Sequence, residues 1–477
     1  MKALEHIVII GGGHAAWMAA ASLGHGLKAS DGRQLTAVSL IDTPRKQAPV
    51  VLSGSPTLRY FNMRAGVSEA QMFTAARALP FYGTRFEGLG PQPFWRAFGE
   101  YGARLNTVAF HHFLTWQAVI EGNVNIDDYT PAVKLAAAGR FTPPVKNADS
   151  ALARVGHGVN LETEAYAAVL RASAPMVAVT KGEPAEVRRD EAGRVTAVQL
   201  KGGQVIEGDF FVDTEGWLVE QLSVPFEVAQ GLSHDRSIQV STPHGDELAA
   251  NHLTVVEGGW TLRRPIAGED RIRLVYDSRK LSDQAARAMV GAEAEAEVTS
   301  FVQGRRQTFW HGNVLMIGEA AGVLDGIGMH ELGFVQQGIS QFLALFPDQD
   351  DRPELAREYN RVMAQSFDNA ADFTRLHYAE PAEGWGESVA QKVRYFRSRG
   401  HLQMQDNETA SESDFISLLW GRGIRPERYD RIIDGLPEGE VLKRLEQMRN
   451  IINHEVNRLP SYATLRQQIE QAASQRP

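Results

Sequence analysis

Residues 6–16 read HIVIIGGGHAA, a short apolar run followed by three glycines and small residues. The order predicts a strand, a tight turn and the start of a helix. Gly11 permits the tight turn, and Gly13 lets backbone N–H groups approach a pyrophosphate at the helix N-terminus. We therefore predict a dinucleotide site formed by Gly11, Gly13, His14, Ala15 and Ala16. The alternative is a glycine turn that serves only the packing of the helix on the strand.

A second apolar run, residues 35–41, ends at Asp42 after a polar loop at residues 24–34. An acid at the end of the second strand of such a unit accepts a hydrogen bond from a ribose hydroxyl. Asp42 lies further along the chain than the usual spacing because of the polar loop. We assign it to the predicted cofactor site.

Composition restricts the class of protein. The chain has 477 residues, of which 43% are hydrophobic, a formal net charge of −9 and no cysteine. The negative charge argues against non-specific nucleic-acid binding, and the lack of cysteine excludes a disulfide framework, a thiol nucleophile and a cysteine–zinc site. No run reaches the length of a membrane span, and the first strand leaves no room for a signal peptide. We expect a cytoplasmic protein without a metal site.

The remaining chain alternates between structural classes. Residues 209–216 read as an apolar strand that enters a polar turn, and residues 225–280 alternate as an antiparallel sheet does. Residues 313–322 read as a strand followed by a small-residue helix start. From residue 352 onward the pattern is mostly that of amphipathic helices.

Three separated segments resemble the FAD-binding fold of the glutathione reductase type: Gly11–Ala16, Asp209–Gly216 and Gly318–Ala321. In that fold a late strand ends in a Gly-Asp pair whose acid contacts the flavin ribityl chain. Gly318 and Glu319 stand at that pair, so the resemblance implies FAD as the cofactor. The fold class that follows is α/β, with an inserted antiparallel sheet and a mainly helical C-terminal part.

The resemblance extends to the flavin-dependent tryptophan halogenase family. The opening GGGHAAWMAA at residues 11–20, the block GVSEA at residues 66–70 and the block GTRF at residues 83–86 are similar to segments of that family, in the same order. The similarity implies an FAD-binding part at residues 1–350 and a helical part at residues 351–477. It also implies that the segments near residues 50–150 and 225–280 form the substrate side.

The chain departs from this family at its catalytic motifs. The family has a lysine that guides or holds hypohalous acid, and Phe81 stands at that position beside Tyr82. The family glutamate that polarises the halogenating species aligns with Gly328, and Met329-His330 replaces a halide-binding Ser-Thr pair. The family motif Trp-x-Trp-x-Ile-Pro is reduced here to WTLRRP at residues 260–265.

Two sets of residues are candidates for replacing the lost chemistry. His330 is a candidate acid–base group at the altered site, and the alternative is a packing role at a helix start. Arg263 and Arg264 are candidates for binding a carboxylate or phosphate of the substrate, and the alternative is a solvated strand face.

The resemblance and the departures together imply an FAD-binding oxidoreductase, of the monooxygenase type, acting on an organic substrate. An atypical halogenase and a flavin-binding sensor, carrier or partner subunit are the alternatives. The family relies on a separate reductase for reduced FAD, and this chain shows no second complete glycine fingerprint for NAD(P)H. We therefore expect a flavin reductase as a partner, and a homodimer is a further candidate assembly.

Overall fold

The computed structural model describes residues 3–44, 50–103, 105, 107–122, 124–245, 248–292, 296–328, 331–349, 353–378 and 385–474. The chain divides into two compact units, each built from three separate segments. The first unit comprises Met1–Ala78, Leu161–Asp235 and Thr299–Ala371, and the second comprises Leu79–Asn160, Arg236–Val298 and Asp372–Pro477. The proposed division at residue 350 and the assignment of a substrate side remain predictions.

The helices in chain order are α1 (His14–Gly26), α2 (Leu58–Arg64), α3 (Glu69–Ala75), α4 (Phe110–Glu121), α5 (Pro131–Ala137), α6 (Thr163–Ser173), α7 (Trp217–Gln221), α8 (Asp283–Met289), α9 (Glu331–Ala344), α10 (Pro353–Arg375), α11 (Glu387–Arg399), α12 (Glu412–Gly421), α13 (Glu438–Asn457) and α14 (Tyr462–Ser474).

The strands in chain order are β1 (His6–Ile10), β2 (Ala37–Asp42), β3 (Val51–Gly54), β4 (Leu79–Phe81), β5 (Gly83–Glu87), β6 (Phe94–Ala97), β7 (Gly158–Glu162), β8 (Ala178–Lys181), β9 (Pro184–Arg189), β10 (Val195–Leu200), β11 (Val205–Glu207), β12 (Phe210–Asp213), β13 (Phe226–Val228), β14 (Arg236–Thr242), β15 (Asn251–Val256), β16 (Gly259–Ile266), β17 (Glu269–Tyr276), β18 (Thr299–Ser300), β19 (Gly304–Arg306), β20 (Trp310–His311), β21 (Val314–Met316) and β22 (Gly322–Val323).

The first unit is organised on a sheet with the strand order β20-β21-β12-β1-β2-β8. All pairs in it are parallel except the edge pair β20–β21. Strand β1 is almost completely buried, as expected for the centre of a parallel sheet. Because parallel strands end at the same edge, the turns after β1, β12 and β21 lie along one edge of this sheet. The predicted strand–turn–helix–strand unit is confirmed.

Helix α1 is covered by other helices of the first unit. It packs against α6 and α9, and ten of its residues are buried. Near its C-terminal end, a ring nitrogen of His25 lies 2.8 Å from the carbonyl oxygen of Ser173 in α6. The small residues at the start of α1 allow this close packing, because an alanine-rich helix brings backbones together without large side chains.

The second unit contains strands in the order β14-β17-β16-β15-β5-β6. The antiparallel sheet predicted from the alternation of residues 225–280 is confirmed in strands β14 to β17. Strand β5 was not predicted as part of this sheet and joins β15 in parallel. At Gly83, strands β5 and β6 approach so closely that a Cβ on this residue would lie 2.5 Å from the Cα of Ala97. Only glycine fits at that position.

Short polar side chains begin several helices. Ser68 and Gln71 form a capping box at α3, and Ser411 and Asp414 form one at α12. Each serine oxygen accepts a backbone N–H that the helix leaves without a partner, which typically stabilises the helix by about 1 kcal/mol.

None of the helices in the described part of the chain is both long and apolar enough to cross a membrane.

Candidate functional site

The glycine turn after β1 combines two tightly packed glycines with one that faces open space. Gly11 has a φ of +145°, and a Cβ there would lie 2.1 Å from the hydroxyl oxygen of Thr214. A Cβ on Gly12 would lie 2.1 Å from the carbonyl oxygen of Thr43. By contrast, no described atom lies within 4 Å of a Cβ placed on Gly13. The packing alternative therefore accounts for Gly11 and Gly12 but not for the space beside Gly13.

The start of α1 is suited to an anion. Gly13 is the N-cap residue, so no side chain accepts the first N–H groups of the helix from that position. Among the described residues of the first turn none is acidic, so α1 itself places no carboxylate at the positive end of its dipole. His14 is half-buried, whereas Ala15 and Ala16 are buried. Because backbone N–H groups and the dipole favour negative charge there, this helix start can bind a pyrophosphate.

Glu215, two residues after the end of β12, is hydrogen-bonded to this turn. Its Oε1 accepts the backbone N–H of Gly12 at 2.7 Å, and its Oε2 accepts the hydroxyl of Thr43 at 2.8 Å. Asp42, the predicted ribose acceptor, ends β2 with Oδ1 only 3.2 Å from a Cβ placed on Gly12. The structure thus brings Asp42 to the glycine turn and adds Glu215 from the polar turn that was predicted within residues 209–216.

Asp213, the last residue of β12, orders the segment that follows this strand. It is buried, and its carboxylate accepts the N–H groups of Glu215 at 3.1 Å, Gly216 at 2.9 Å and Val219 at 2.8 Å. Burial raises the pKa of Asp213 above its usual range, while these hydrogen bonds act in the opposite direction. Asp213 therefore orders the segment that carries Glu215.

The segment that begins at Gly318 lies against the same turn but is not a helix start. Residues Gly318–Ala320 form one short 3-10 turn, and the chain then enters β22. The prediction of a helix at this point is wrong. Gly318 has a φ of +65°, which favours glycine, and a Cβ there would lie 3.0 Å from the Cβ of Ala15. The N–H of Ala320 donates to the carbonyl oxygen of Thr214 at 3.4 Å. Glu319 is exposed on this turn.

These residues fit the FAD implied by the resemblance. Gly13 leaves room that any side chain would fill, the N-terminus of α1 offers a binding site for the pyrophosphate, and Asp42 supplies an acceptor for a ribose hydroxyl. Gly318 and Glu319 lie beside Ala15 through the 3-10 turn. All of them belong to the first unit. We call this set, with Glu215, the glycine-turn cradle.

Phe81 ends strand β4 in the second unit. It is fully buried and contacts Phe98 edge-on, with ring centroids 5.3 Å apart. Its neighbour Tyr82 is also buried, and its hydroxyl both donates to the carbonyl oxygen and accepts the N–H of Thr142, each at 2.9 Å. Burial raises the pKa of Tyr82. Both side chains are thus held in an apolar core, and neither supplies a cation.

Gly328 is half-buried in the turn that follows Asp325 in the first unit. His330, the candidate acid–base residue, lies outside the described residues, as does Met329. A different histidine meets this segment: Nδ1 of His234 lies 3.1 Å from Oδ2 of Asp325. The sequence did not indicate this pair, because the two residues are separated by 91 positions and no motif joins them.

The two arginines of strand β16 differ in environment. Arg263 donates to the carboxylate of Asp270 at 3.1 Å, so its charge is engaged within the sheet. Arg264 is 1% exposed, and the alternative of a solvated strand face is therefore wrong for it. A role of Arg264 in binding substrate stays a prediction.

Comparison with known proteins identifies the family. A family model described as tryptophan halogenase matches residues 6–438. Tryptophan 7-halogenase KtzQ of Kutzneria sp. (strain 744) is 24% identical over 292 residues, which cover 52% of this chain and 55% of that protein. The match thus spans about half of that relative. Tryptophan 6-halogenase ThaL of Streptomyces albogriseolus is 24% identical over 411 residues, covering 79% of this chain and 76% of that protein.

Solved structures confirm the predicted fold. BrvH, a flavin-dependent halogenase from Brevundimonas sp. BAL3, matches with a TM-score of 0.90 and 26% identity over 98% of this chain and 99% of that one. Its description as flavin-dependent also supports the predicted cofactor class, since FAD is the cofactor of this family. With a family model that matches nearly the whole sequence and a flavin-dependent relative of the same fold, this chain belongs to the tryptophan halogenase family.

Proposed function

We propose that this chain is an FAD-binding oxidoreductase of the monooxygenase type that acts on a small organic substrate. The observation that carries the proposal is the open space beside Gly13 at the N-terminus of α1, in a turn whose other glycines are tightly packed. In the proposed reaction a substrate R–H, molecular oxygen and reduced FAD give R–OH, water and oxidised FAD. The flavin supplies the two electrons, and that chemistry belongs to the cofactor.

The chain's own residues have distinct tasks in this proposal. The N–H groups at the start of α1 hold the pyrophosphate, and Asp42 accepts a ribose hydroxyl. Glu215 fixes Gly12 and Thr43, and so keeps the turn in shape before FAD arrives. Gly318 and Glu319 form the 3-10 turn that lies beside Ala15. A preformed cradle of this kind lowers the ordering cost of binding.

Phe81 and Gly328 argue against standard halogenation. Phe81 is an apolar, fully buried side chain at the position of the family lysine, so no ammonium group is available from it to direct hypohalous acid. Gly328 has no carboxylate to assist removal of a proton from an aromatic ring. The chain therefore lacks, at these two positions, both the ammonium group that directs hypohalous acid and the carboxylate that assists proton removal in the family halogenases.

FAD binding is tested with two glycine variants, one at a position that faces open space and one at a tightly packed position. Gly13→Trp should fold with an unchanged melting temperature, because a side chain at Gly13 points into open space, but it should abolish saturable FAD binding. Gly12→Ala should lower the melting temperature, because its Cβ would meet the carbonyl oxygen of Thr43. Binding is measured by titrating FAD fluorescence. A wild type without saturable binding, or a Gly13→Trp protein that binds as wild type does, would contradict the proposal.

Turnover is tested with reduced FAD, oxygen and a panel of indoles and phenols, with and without chloride or bromide. Mass spectra should show oxygenated products whose yield is independent of halide. Halogenated product formed over many turnovers would contradict the monooxygenase assignment.

The second candidate is an atypical halogenase, favoured by the halogenase descriptions of relatives that cover nearly the whole chain. Halide-dependent turnover distinguishes it from the first candidate. A flavin-binding sensor, carrier or partner subunit would bind FAD but turn over no member of the panel. The proposal also includes a separate flavin reductase as the source of reduced FAD and a cytoplasmic location. A homodimer is a further part of it, tested by the mass of the protein in solution.

A further inference from the structure

His244, two residues after the end of β14, lies between two carboxylates of the second unit. Its Nδ1 lies 2.7 Å from Oδ1 of Asp270 in β17, and its Nε2 lies 3.2 Å from Oε1 of Glu470 in α14. The side chains of His244, Asp270 and Glu470 are 19%, 3% and 31% exposed. We call these three residues the His244 clamp. It joins α14 to the antiparallel sheet.

Further polar groups bind the two carboxylates of the clamp. Oδ2 of Asp270 accepts a hydrogen bond from Arg263 of β16 at 3.1 Å and one from the N–H of Gly245 at 3.0 Å. Residues 246 and 247, an aspartate and a glutamate, lie outside the described residues. Asp270 is thus held in place by the sheet and by the loop that carries His244.

Glu470 is bound by the turn between β16 and β17. Its Oε1 accepts the N–H of Gly268 at 3.2 Å, and Nε of Arg466, one turn earlier in α14, lies 3.9 Å from the same oxygen. Of the described titratable groups, Asp270 and Glu470 are those within hydrogen-bonding distance of the His244 ring.

Both contacts of the ring require a hydrogen atom on the nitrogen concerned, because an ionised carboxylate only accepts hydrogen bonds. Neutral histidine has one N–H and satisfies one contact, whereas imidazolium satisfies both. When the ring loses a proton, Nδ1 keeps its hydrogen, since Asp270 is almost fully buried and its contact is the shorter one. Nε2 then presents a lone pair to Glu470, whose partly exposed carboxylate can turn to water instead.

The helix that carries Glu470 is also bonded to strand β4. Tyr462, the first residue of α14, donates its hydroxyl to the carbonyl oxygen of Pro80 at 3.0 Å. Its backbone N–H donates to the carbonyl oxygen of Gly139 at 2.8 Å. Pro80 directly precedes Phe81 in β4. Helix α14 therefore has one attachment beside β4 and a second one at the His244 clamp.

We propose that the His244 clamp is a pH-sensitive switch, which fixes α14 to the antiparallel sheet when His244 is protonated and releases the Glu470 end of the helix when it is not. The clamp is complete at low pH and is lost as the pH rises through the titration of His244. Release removes one of the two attachments of α14, so the order of the helix depends on pH. This inference goes beyond the proposed function and does not depend on flavin binding.

Two variants imitate the two states of the switch. In His244→Asn the amide nitrogen takes the place of Nδ1 and still donates to Asp270, but nothing takes the place of Nε2. This variant should keep α14 released at every pH. In Glu470→Gln the amide can accept from a protonated Nε2 or donate to its lone pair, so α14 should stay attached at every pH. His311→Asn, at an exposed histidine of the first unit, is the control.

Hydrogen exchange of the full chain, followed by peptide mass spectrometry, measures the order of α14. It is recorded at about pH 5.5 and about pH 8.5, which lie on either side of the usual titration range of histidine. After correction for intrinsic exchange rates, protection of the wild-type peptides from residues 463–474 should fall roughly tenfold at the higher pH, as expected for one lost hydrogen bond between charged groups. The His311→Asn protein should show the same fall.

The variants decide whether His244 causes this change. His244→Asn should give low protection of α14 at both pH values, and Glu470→Gln should give high protection at both. Peptides of α9 in the first unit should behave alike in all four proteins. Protection of α14 that does not change with pH in the wild type, or that changes equally in His244→Asn, would overturn the inference. Either result would leave the proposed function intact, since FAD titration tests that separately.

Discussion

Gly12 donates its backbone N–H to Oε1 of Glu215 at 2.7 Å, which joins the first turn of the chain to a strand end 203 residues later. The second oxygen of Glu215 accepts the hydroxyl of Thr43 at 2.8 Å. One carboxylate thus holds the residues that follow β1 and β2 at the same edge of the sheet. The shape of the cradle depends on a contact that is fixed only when distant strands have paired.

Replacing Glu215 should loosen the cradle without unfolding the protein. In Glu215→Ala both acceptors are lost, and we expect FAD affinity to fall about tenfold, equivalent to roughly 1.4 kcal/mol. The melting temperature should fall only slightly, because a hydrogen bond typically contributes about 1 kcal/mol to the free energy of unfolding. FAD titration and thermal unfolding measure the two effects. Glu220→Ala, an exposed glutamate on α7, is the control and should leave both unchanged.

Gly318→Ala should be costly for two reasons. Its φ of +65° strains any residue with a Cβ, and that Cβ would stand 3.0 Å from the Cβ of Ala15. We expect a loss of about 1–2 kcal/mol in the free energy of unfolding, together with weaker FAD binding. Gly333→Ala, inside α9 with no described atom within 4 Å of the added Cβ, is the matched control. It should stabilise the protein by about 0.5–1 kcal/mol. Equal effects at both positions would contradict the packing of Gly318.

Phe81→Lys should destabilise the second unit instead of restoring a halogenase. The Phe81 side chain is fully buried and packs on Phe98, so an ammonium group at this position would enter an apolar core. An unpaired buried charge costs about 3–5 kcal/mol, measured as a loss of unfolding free energy in urea. Phe81→Met keeps the volume and should cost less than about 1.5 kcal/mol. A Phe81→Lys protein as stable as wild type would show that this position tolerates a cation.

The double variant Phe81→Lys, Gly328→Glu should not chlorinate the indole and phenol panel. It restores the family lysine and glutamate, but residues 329 and 330 remain Met and His where the family has its halide-binding Ser-Thr pair. Mass spectrometry of products with reduced FAD, oxygen and chloride tests this. Efficient chlorination would mean that the rest of the halogenase site has been retained.

His112 predicts a loss of stability on mild acidification. Burial lowers its pKa from 6.5 to about 4, with His111 adding to the effect, while Asp430 and Glu412 oppose it. The unfolded state therefore binds more protons than the folded state between these two pH values. The stabilising contribution is complete above pH 6.5 and is lost as the pH falls towards about 4.

Thermal unfolding across this pH range tests the assignment. His112→Phe keeps a ring against His111, whose ring centroid lies 4.4 Å from that of His112, and removes the titrating group. The variant should lose less stability than wild type on acidification. His311→Gln, at an exposed histidine, should follow the wild-type curve. A His112→Phe protein with the wild-type pH dependence would refute the role of His112.

The sequence predicted those helices, strands and turns that are determined by residues close together in the chain. The glycine turn, α1 and the antiparallel sheet of the second unit follow from side-chain periodicity and turn chemistry. The prediction of a helix after Gly318 was wrong. A run of small residues is compatible both with the start of a helix and with a close approach of two backbone segments, so the pattern did not distinguish them. There the packing on Ala15 decided in favour of a 3-10 turn.

The contacts of Glu215 and His234 could not be predicted, because each depends on a partner far away in the sequence. Glu215 reaches Gly12 only through the pairing of β1 with β12. His234 reaches Asp325 with help from Gln303, a third segment. An unaligned single sequence contains no signal for such combinations.

The interleaving of the two units determines when each can fold during synthesis. Strand β1 is made before the strands that pair with it: β12 follows at Phe210–Asp213, and β21 adds to the sheet only at Val314–Met316. By then the first two segments of the second unit have also been made. The parallel sheet must therefore remain incomplete until Val314–Met316 has been made. Strand β1 therefore lacks its partner β12, and β12 its partner β21, for much of translation, and the cradle cannot be complete before Gly318 has been made.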